Sequence, residues 1–571
     1  MFARPVRRTG YVFAAVVAIG GALVAAPIAA GAADSGSPAY TVVKAGKFGG
    51  EPSIASAQDG SLYISSPSDS IVHVSHDQGQ TWVDRAGPDS SGDDCLSTDQ
   101  SGAIYWCNLS GGKDDLPLQA DVWKSTDDGV TWAQGQSQVT GNGSTCGNSC
   151  QPFGVDRQWT ASWIPDGKTS TNDAVVAIQY HDFYGPTSIW VNVSTDGGKT
   201  YSRSTNVVVN PAASPNAVAG SAAAEAYSFC STVPAGVGIV PSGPHKGRII
   251  VGWIAADPAA DAGGCNLTQA EAFHTFWVSW SDDNGATWTP QEAYDAGPTH
   301  DASTPFVGFA IDRLGNPYFA FANNLNSNPA TCSAESQQGT QQADPSCEYD
   351  MYVVWSNDGG TTWDGGGGLF PGSAGTPYKV SSGPTDTGTH WFPAIAVNNP
   401  GQVGVSYLQT PIIEPTNPSG KVNPGGCAKP VVCSWDLYAA QADLNGVTPA
   451  TAHWDVTKVT SQPMHSGDIC NLGIACVGSL GSNRHLLDFI QEAYDPTTGC
   501  AHVAYPDDYT NVQAGVPATH NGIYSANQSA GCFNNVQADL AELPWAALAL
   551  PVAALAVLVT VRRRRHGGLA V

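Results

Sequence analysis

Ser75-His76-Asp77-Gln78-Gly79-Gln80-Thr81-Trp82 has the form S-x-D-x-G-x-T-W, and the same box returns four more times along the chain. It recurs at Ser125-Asp127-Gly129-Thr131-Trp132, at Ser194-Asp196-Gly198-Thr200-Tyr201, at Ser281-Asp283-Gly285-Thr287-Trp288 and at Ser356-Asp358-Gly360-Thr362-Trp363. Each follows an apolar or alternating run such as Met351-Tyr352-Val353-Val354-Trp355. A short carboxylate that can accept backbone N–H bonds, followed by a glycine free to take positive φ, encodes a tight turn between two strands. The closing aromatic then buries a large apolar surface against neighbouring strands. Asp77, Asp127, Asp196, Asp283 and Asp358 therefore read as turn formers rather than catalysts.

A second outline accompanies the boxes: strand, D/N-x-G turn, strand. It is seen from Pro52 through Asp59-Gly60 to Ser65, and it persists at 392–407 and 486–505, where the box is lost. Counting both signatures gives seven units, at 42–84, 93–134, 153–204, 225–290, 303–365, 390–456 and 484–533. Repeated units of four short strands imply an all-β propeller over 40–533, with seven blades rather than the alternative six. The last unit supplies only three strands. Tyr40-Thr41-Val42-Val43-Lys44, ahead of the first unit, is placed to supply the fourth and close the ring.

The chain has 571 residues, 64 Gly, 39 Pro and 17 Trp, with 42% hydrophobic residues, which suits many turns around aromatic cores and excludes a coiled coil. Charge is −25, from 24 basic and 49 acidic residues. Seven arginines sit at the extremes (Arg4, Arg7, Arg8 and Arg562 to Arg565), so the part between carries a larger acidic excess. Such a surface repels nucleic acid, whose binding depends on neutralising phosphates. Residues 1–33 have the basic start, apolar stretch and Ala30-Gly31-Ala32 site of a secretory signal peptide. After a linker at 534–542, residues 543–561 are uncharged and long enough to form a transmembrane helix. The basic tail at 562–571 then places that end in the cytoplasm. The expectation is a secretory-pathway, single-pass type I membrane protein, monomeric, with its propeller on the cell surface. All 14 cysteines fall in the exported part and group as neighbours, Cys95/Cys107 and Cys500/Cys532 among them, which suits disulfides.

The five boxes resemble the Asp-box (BNR) repeats of the sialidase superfamily, and the resemblance covers about 40–533. It implies a sialidase-like propeller, with an R-I-P motif on the first strand, three arginines holding a sugar carboxylate, a Tyr–Glu nucleophile pair and an Asp acid/base. Here the first strand reads Gly50-Glu51-Pro52-Ser53-Ile54, and R-I-P does not occur. Only Arg157 and Arg484, of the arginines in the exported part, open innermost strands.

In a propeller the entrances to the innermost strands converge on one mouth. Here those entrances give Glu51, Asp93-Asp94, Asp156-Arg157, Glu225, His300-Asp301, His390-Trp391 and Arg484-His485. Facing carboxylates raise one another's pKa and can set an acid beside a base, as glycosidases need. Asp156, Arg157, Glu51, Asp94, Arg484 and Asp488 are thus the candidate catalytic group. Trp159, His390, Trp391 and His485 are the candidate sugar contacts. No cofactor motif is evident. The acidic mouth would suit Ca²⁺, although no DxDxDG loop is present. The expected function is glycan or surface-ligand binding at the mouth, with glycoside hydrolysis, exo-α-sialidase activity included, as the alternative.

Overall fold

All five boxes fold into the same turn. Ser75 Oγ donates to Asp77 Oδ1 (2.8 Å) and accepts from the Gly79 N–H (2.9 Å), while Asp77 accepts from the Thr81 N–H (2.8 Å) and hydroxyl (2.6 Å). The boxes at Asp127, Asp196, Asp283 and Asp358 repeat these bonds within about 0.1 Å. The glycine at the serine's +4 position is left-handed each time, with φ from 77° to 96°. Each turn joins the third strand of a sheet to the region of its outermost strand. Some also tie one sheet to the next: Asn527 Nδ2 donates to Gly79 O (2.9 Å), and Trp132 Nε1 donates to Ala86 O (3.0 Å).

The computed structural model describes residues 37–533, apart from a few single positions and short gaps and the longer segments 111–118, 136–154, 183–188, 209–231, 256–272, 326–347, 364–375, 412–433, 470–484 and 510–520. Within it lie seven antiparallel sheets of at least four strands, the blades of a propeller. The innermost strands are Ser53–Ser56, Asp94–Thr98, Val155–Trp163, Thr232–Ile239, Gly308–Ile311, Thr389–Val397 and Gln491–Tyr494, for blades 1 to 7. Blade 7 is completed by Ala39–Gly46, which pairs antiparallel with Gly522–Ala530 from Ala39↔Ala530 to Gly46↔Ile523. The first strand of the chain thus clasps its last blade.

The cores lie between successive blades and are filled by large side chains. Trp106, Trp253, Trp288, Trp391, Trp435 and Tyr407 are among those fully buried. Trp253 and Trp277 stack at 5.4 Å, and Trp106 meets Trp132 edge-on at 5.6 Å. Cys95–Cys107 joins two paired strands of blade 2, and Cys500–Cys532 closes part of blade 7. The other ten cysteines, the 1–33 segment, the 534–542 linker, the 543–561 stretch and the 562–571 tail lie outside the described residues. Among the described residues no helix is long and apolar enough to cross a membrane.

The box at Ser281 offers a clean stability test, because its serine is buried and Trp288 behind it is fully enclosed. Removing the hydroxyl strands the Gly285 N–H, which it holds at 2.8 Å. Ser281→Ala is expected to cost about 1–3 kcal/mol, the usual effect of a buried donor left unmade. An unchanged denaturation midpoint would refute this role of the turn.

Candidate functional site

The innermost strands all begin at one end of the ring, and several begin in an unusual backbone state. Glu51, Arg157, Phe392 and Leu487 have φ of 44°, 46°, 54° and 60°, left-handed values that side-chain-bearing residues seldom adopt. In blades 3 and 6 this coincides with a bulge: register shifts occur between Asp156 and Trp159 and between Trp391 and Ala394. A bulge turns the following side chains and re-aims those at the strand entrance. Strain of about 1–3 kcal/mol per such residue persists only when surrounding contacts hold it. Here the Glu51 N–H donates to Leu486 O (3.3 Å), and Gln491 Oε1 receives both Ser53 Oγ (2.9 Å) and the Ile54 N–H (3.1 Å), stitching blade 1 to blade 7.

Arg157 is the centre of the mouth. Its guanidinium lies 3.9 Å from the Phe489 ring centre and 4.2 Å from that of Trp159, in the notch between the two rings. Its Nη1 is 3.8 Å from Asp93 Oδ2. Glu51 and Asp488 complete the group as neighbouring acidic side chains whose charges act on one another. Burial first, then the charges of Asp488 and Asp93, push the Glu51 carboxyl well above the usual carboxylate range, against the opposing pull of Arg157. Arg157 is only 4% exposed, Glu51 2% and Asp488 8%. Trp159 and Phe489, the two rings against Arg157, also line a cavity of about 150 Å³ walled by residues at the innermost strands of blades 3 to 7, with Phe306, Phe309, Ile395 and Glu492 on it. Glu492 is half-buried, and the desolvation of its carboxyl pushes it up to about 8.

Three residues before Asp488, His485 keeps its side chain 31% exposed. Its Nδ1 is 3.1 Å from Asp508 Oδ2, and His465 Nδ1 is 2.9 Å from Asp508 Oδ1. Burial raises the Asp508 carboxyl, and the bonds from the two imidazoles outweigh it, so the net shift is downward. An aspartate that fixes an imidazole through Nδ1 leaves Nε2 as the working atom, a common arrangement for proton transfer or polar binding.

The structure therefore brings together Glu51, Arg157 and Asp488 from the sequence-derived set, with His485 close by along the chain. It separates the rest. Asp94 is turned into blade 2, where it accepts from Trp106 Nε1 (3.1 Å); its neighbour Asp93 takes the mouth position. Asp156 is in the innermost strand of blade 3, opposite His181. Arg484, Glu225 and Asp301 lie outside the described residues. Trp159 is a channel wall carrying Arg157 on its ring, not an open platform for a sugar. Trp391 is buried in the core against Tyr349, and His390 is buried at the junction of blades 5 and 6, so neither presents a face for sugar stacking. Asp508 and His465 were not singled out by sequence. The acidic end of Tyr505-Pro506-Asp507-Asp508, closing a strand at the mouth, was the available signal for the first.

No protein-family model matches this chain. Among solved structures, the chain is similar to a protein of unknown function from Dyadobacter fermentans DSM 18053, at 12% identity over 86% of this chain and 98% of that one, with a TM-score of 0.37. A polysaccharide lyase, ulvan lyase bound to -[GlcA(1-4)Rha3S]-, gives 12% identity over 85% and 95%, with a TM-score of 0.43. The Penicillium chrysogenum alpha-L-arabinanase complexed with arabinobiose gives 14% identity over 65% and 93%, with a TM-score of 0.36.

Proposed function

We propose that this chain is a sialidase-like, Asp-box propeller displayed outside the cell on a C-terminal membrane anchor, and that it binds glycans at its mouth without cleaving them. The observation that carries this reading is the state of the Glu51–Asp488–Arg157 group. Glu51 and Asp488 are both buried, at 2% and 8% exposure, so they are not held open on either side of a scissile bond as the two carboxyls of a glycosidase are. Arg157 is committed to an aromatic notch and to Asp93 rather than held out as a clamp for a sugar carboxylate. What the mouth offers a ligand is polar and acidic: the Asp93 carboxylate and the outer edge of His485. An acidic rim on a chain of charge −25 favours neutral or amino sugars over anionic ones.

One observation favours hydrolysis as a second reading. The Glu51 carboxyl is pushed well above the usual range by burial and by neighbouring carboxylates, and pairs of carboxyls with separated pKa values are how acid and base roles are divided.

The test uses the full-length protein in detergent against immobilised neutral, amino and sialylated glycans, with fluorogenic glycosides, sialosides included, run in parallel. Retention of neutral or amino glycans is expected, weakened at least tenfold by His485→Ala, with no turnover. Turnover abolished by Asp93→Asn would replace binding with hydrolysis. Failure to retain any glycan would end the binding reading.

A further inference from the structure

We propose that Asp350, Asp386 and His390 form a binding site for one divalent transition-metal cation, zinc foremost, with Lys379 holding the two carboxylates when the cation is absent. The three residues come from two blades. Asp350 opens the third strand of blade 5, His390 is the second residue of the innermost strand of blade 6, and Asp386 lies in the connection between them. One potential ligand atom from each lies within 4.8 Å of the others.

The imidazole is the decisive member. His390 is fully enclosed, its ring set edge-on to Tyr407 at 5.4 Å. Its backbone N–H donates to Tyr349 O (2.9 Å), and the same carbonyl lies 2.7 Å from Nδ1. A carbonyl can only accept, so Nδ1 carries a proton, and in the neutral imidazole that a metal ligates Nε2 presents its lone pair. A backbone carbonyl holding the far nitrogen is the usual support for a metal-ligating histidine. Nε2 then faces Asp386 Oδ1 at 3.7 Å, and both atoms are buried with no hydrogen-bond partner. Two acceptors aimed at each other in a dry site are unfavourable unless something positive lies between them. Two ligand bonds of about 2.1 Å span 3.7 Å when the angle at the metal is about 125°, a little wider than tetrahedral.

The donor set and the local charge agree. One imidazole nitrogen with carboxylate oxygens suits zinc, with manganese next, whereas calcium takes oxygen ligands alone. Glu348, two residues before Asp350, adds a further acidic residue to this stretch. Lys379 Nζ sits 3.0 Å from Asp350 Oδ2 and 2.9 Å from Asp386 Oδ2, on the oxygens that do not face His390. Its side chain is 36% exposed and so is able to swing outward. It is a tethered cation that competes with the metal.

Chelator-stripped, full-length protein with its disulfides intact would be titrated calorimetrically with ZnCl₂, MnCl₂ and CaCl₂. One zinc per chain is expected, bound more tightly than manganese and far more tightly than calcium. Asp386→Asn should weaken zinc at least tenfold, and Lys379→Gln should tighten it at least tenfold. Near-ultraviolet circular dichroism confirms that both variants keep the fold. No zinc uptake, an affinity unchanged in either folded variant, or calcium binding tighter than zinc would each overturn the proposal.

Discussion

Replacing Arg157 with alanine should destabilise the propeller by roughly 3–5 kcal/mol, because it removes the cation from a buried group that keeps its carboxyls. The guanidinium makes two close ring contacts, at 3.9 and 4.2 Å, each of a kind that contributes about 0.5–2 kcal/mol when desolvated. It also lowers the Glu51 pKa, against burial, Asp488 and Asp93. The pH dependence follows in sign. Glu51 has a folded pKa raised above 4.5, so the fold favours its protonated form. The stability linked to that proton is complete below about 4.5 and is lost as pH rises through the folded value. Without Arg157 the folded value climbs further, so the penalty of the variant should be smallest near pH 4 and grow towards neutrality. Equilibrium denaturation at both pH values checks this. A penalty independent of pH, or none at all, would show that the mouth is not held by its arginine.

The second large effect is expected where the ring closes. Cys500–Cys532 spans 32 residues and encloses the two strands of blade 7 that carry the clasp. Loop-entropy reasoning gives about 3–4 kcal/mol for a loop of this length, within the 2–5 kcal/mol usual for native disulfides of exported domains. A Cys500→Ser/Cys532→Ser double variant should lose that much in non-reducing denaturant. Hydrogen exchange in 501–507 and 522–530 should accelerate before exchange elsewhere. Uniform acceleration across all blades would instead mean that the ring opens as one unit.

The fold was legible because its signals are local. The five boxes encode a turn within eight residues, and every bond that makes the turn, from Ser75 to Thr81 in the first case, lies inside it. The clasp was legible too, since blade 7 lacked a strand and an alternating segment stood ahead of blade 1. The mouth was only half legible. Strand alternation assigns faces correctly until a bulge intervenes, and the bulges lie at the entrances that were being read. That is why Trp391, given to the ligand, is buried in the core. Asp94 fails for another reason: Trp106 offers it an indole N–H across the sheet, and Asp93 is left at the rim. The His485–Asp508–His465 chain joins residues from separate segments, which no spacing in one sequence reveals. Asp350, Asp386 and His390 were equally hidden, because their meeting depends on how two blades pack.

The clasp also has a consequence in time. Ala39–Gly46 is among the first parts of the propeller to be synthesised, yet its only ladder partner in the described sheets is Gly522–Ala530, nearly 500 residues later. Until that partner emerges, the segment is a lone strand with both edges open to other chains. Its side chains are mostly exposed or half-exposed, and it carries Thr41 and Lys44 among its apolar residues, which restrains sticking while it waits. Ring closure is therefore the last pairing event available to a chain that is otherwise built blade by blade. A ribosome stalled before residue 522 would leave six blades with their own strands complete and a gap that no other strand of the described sheets fills.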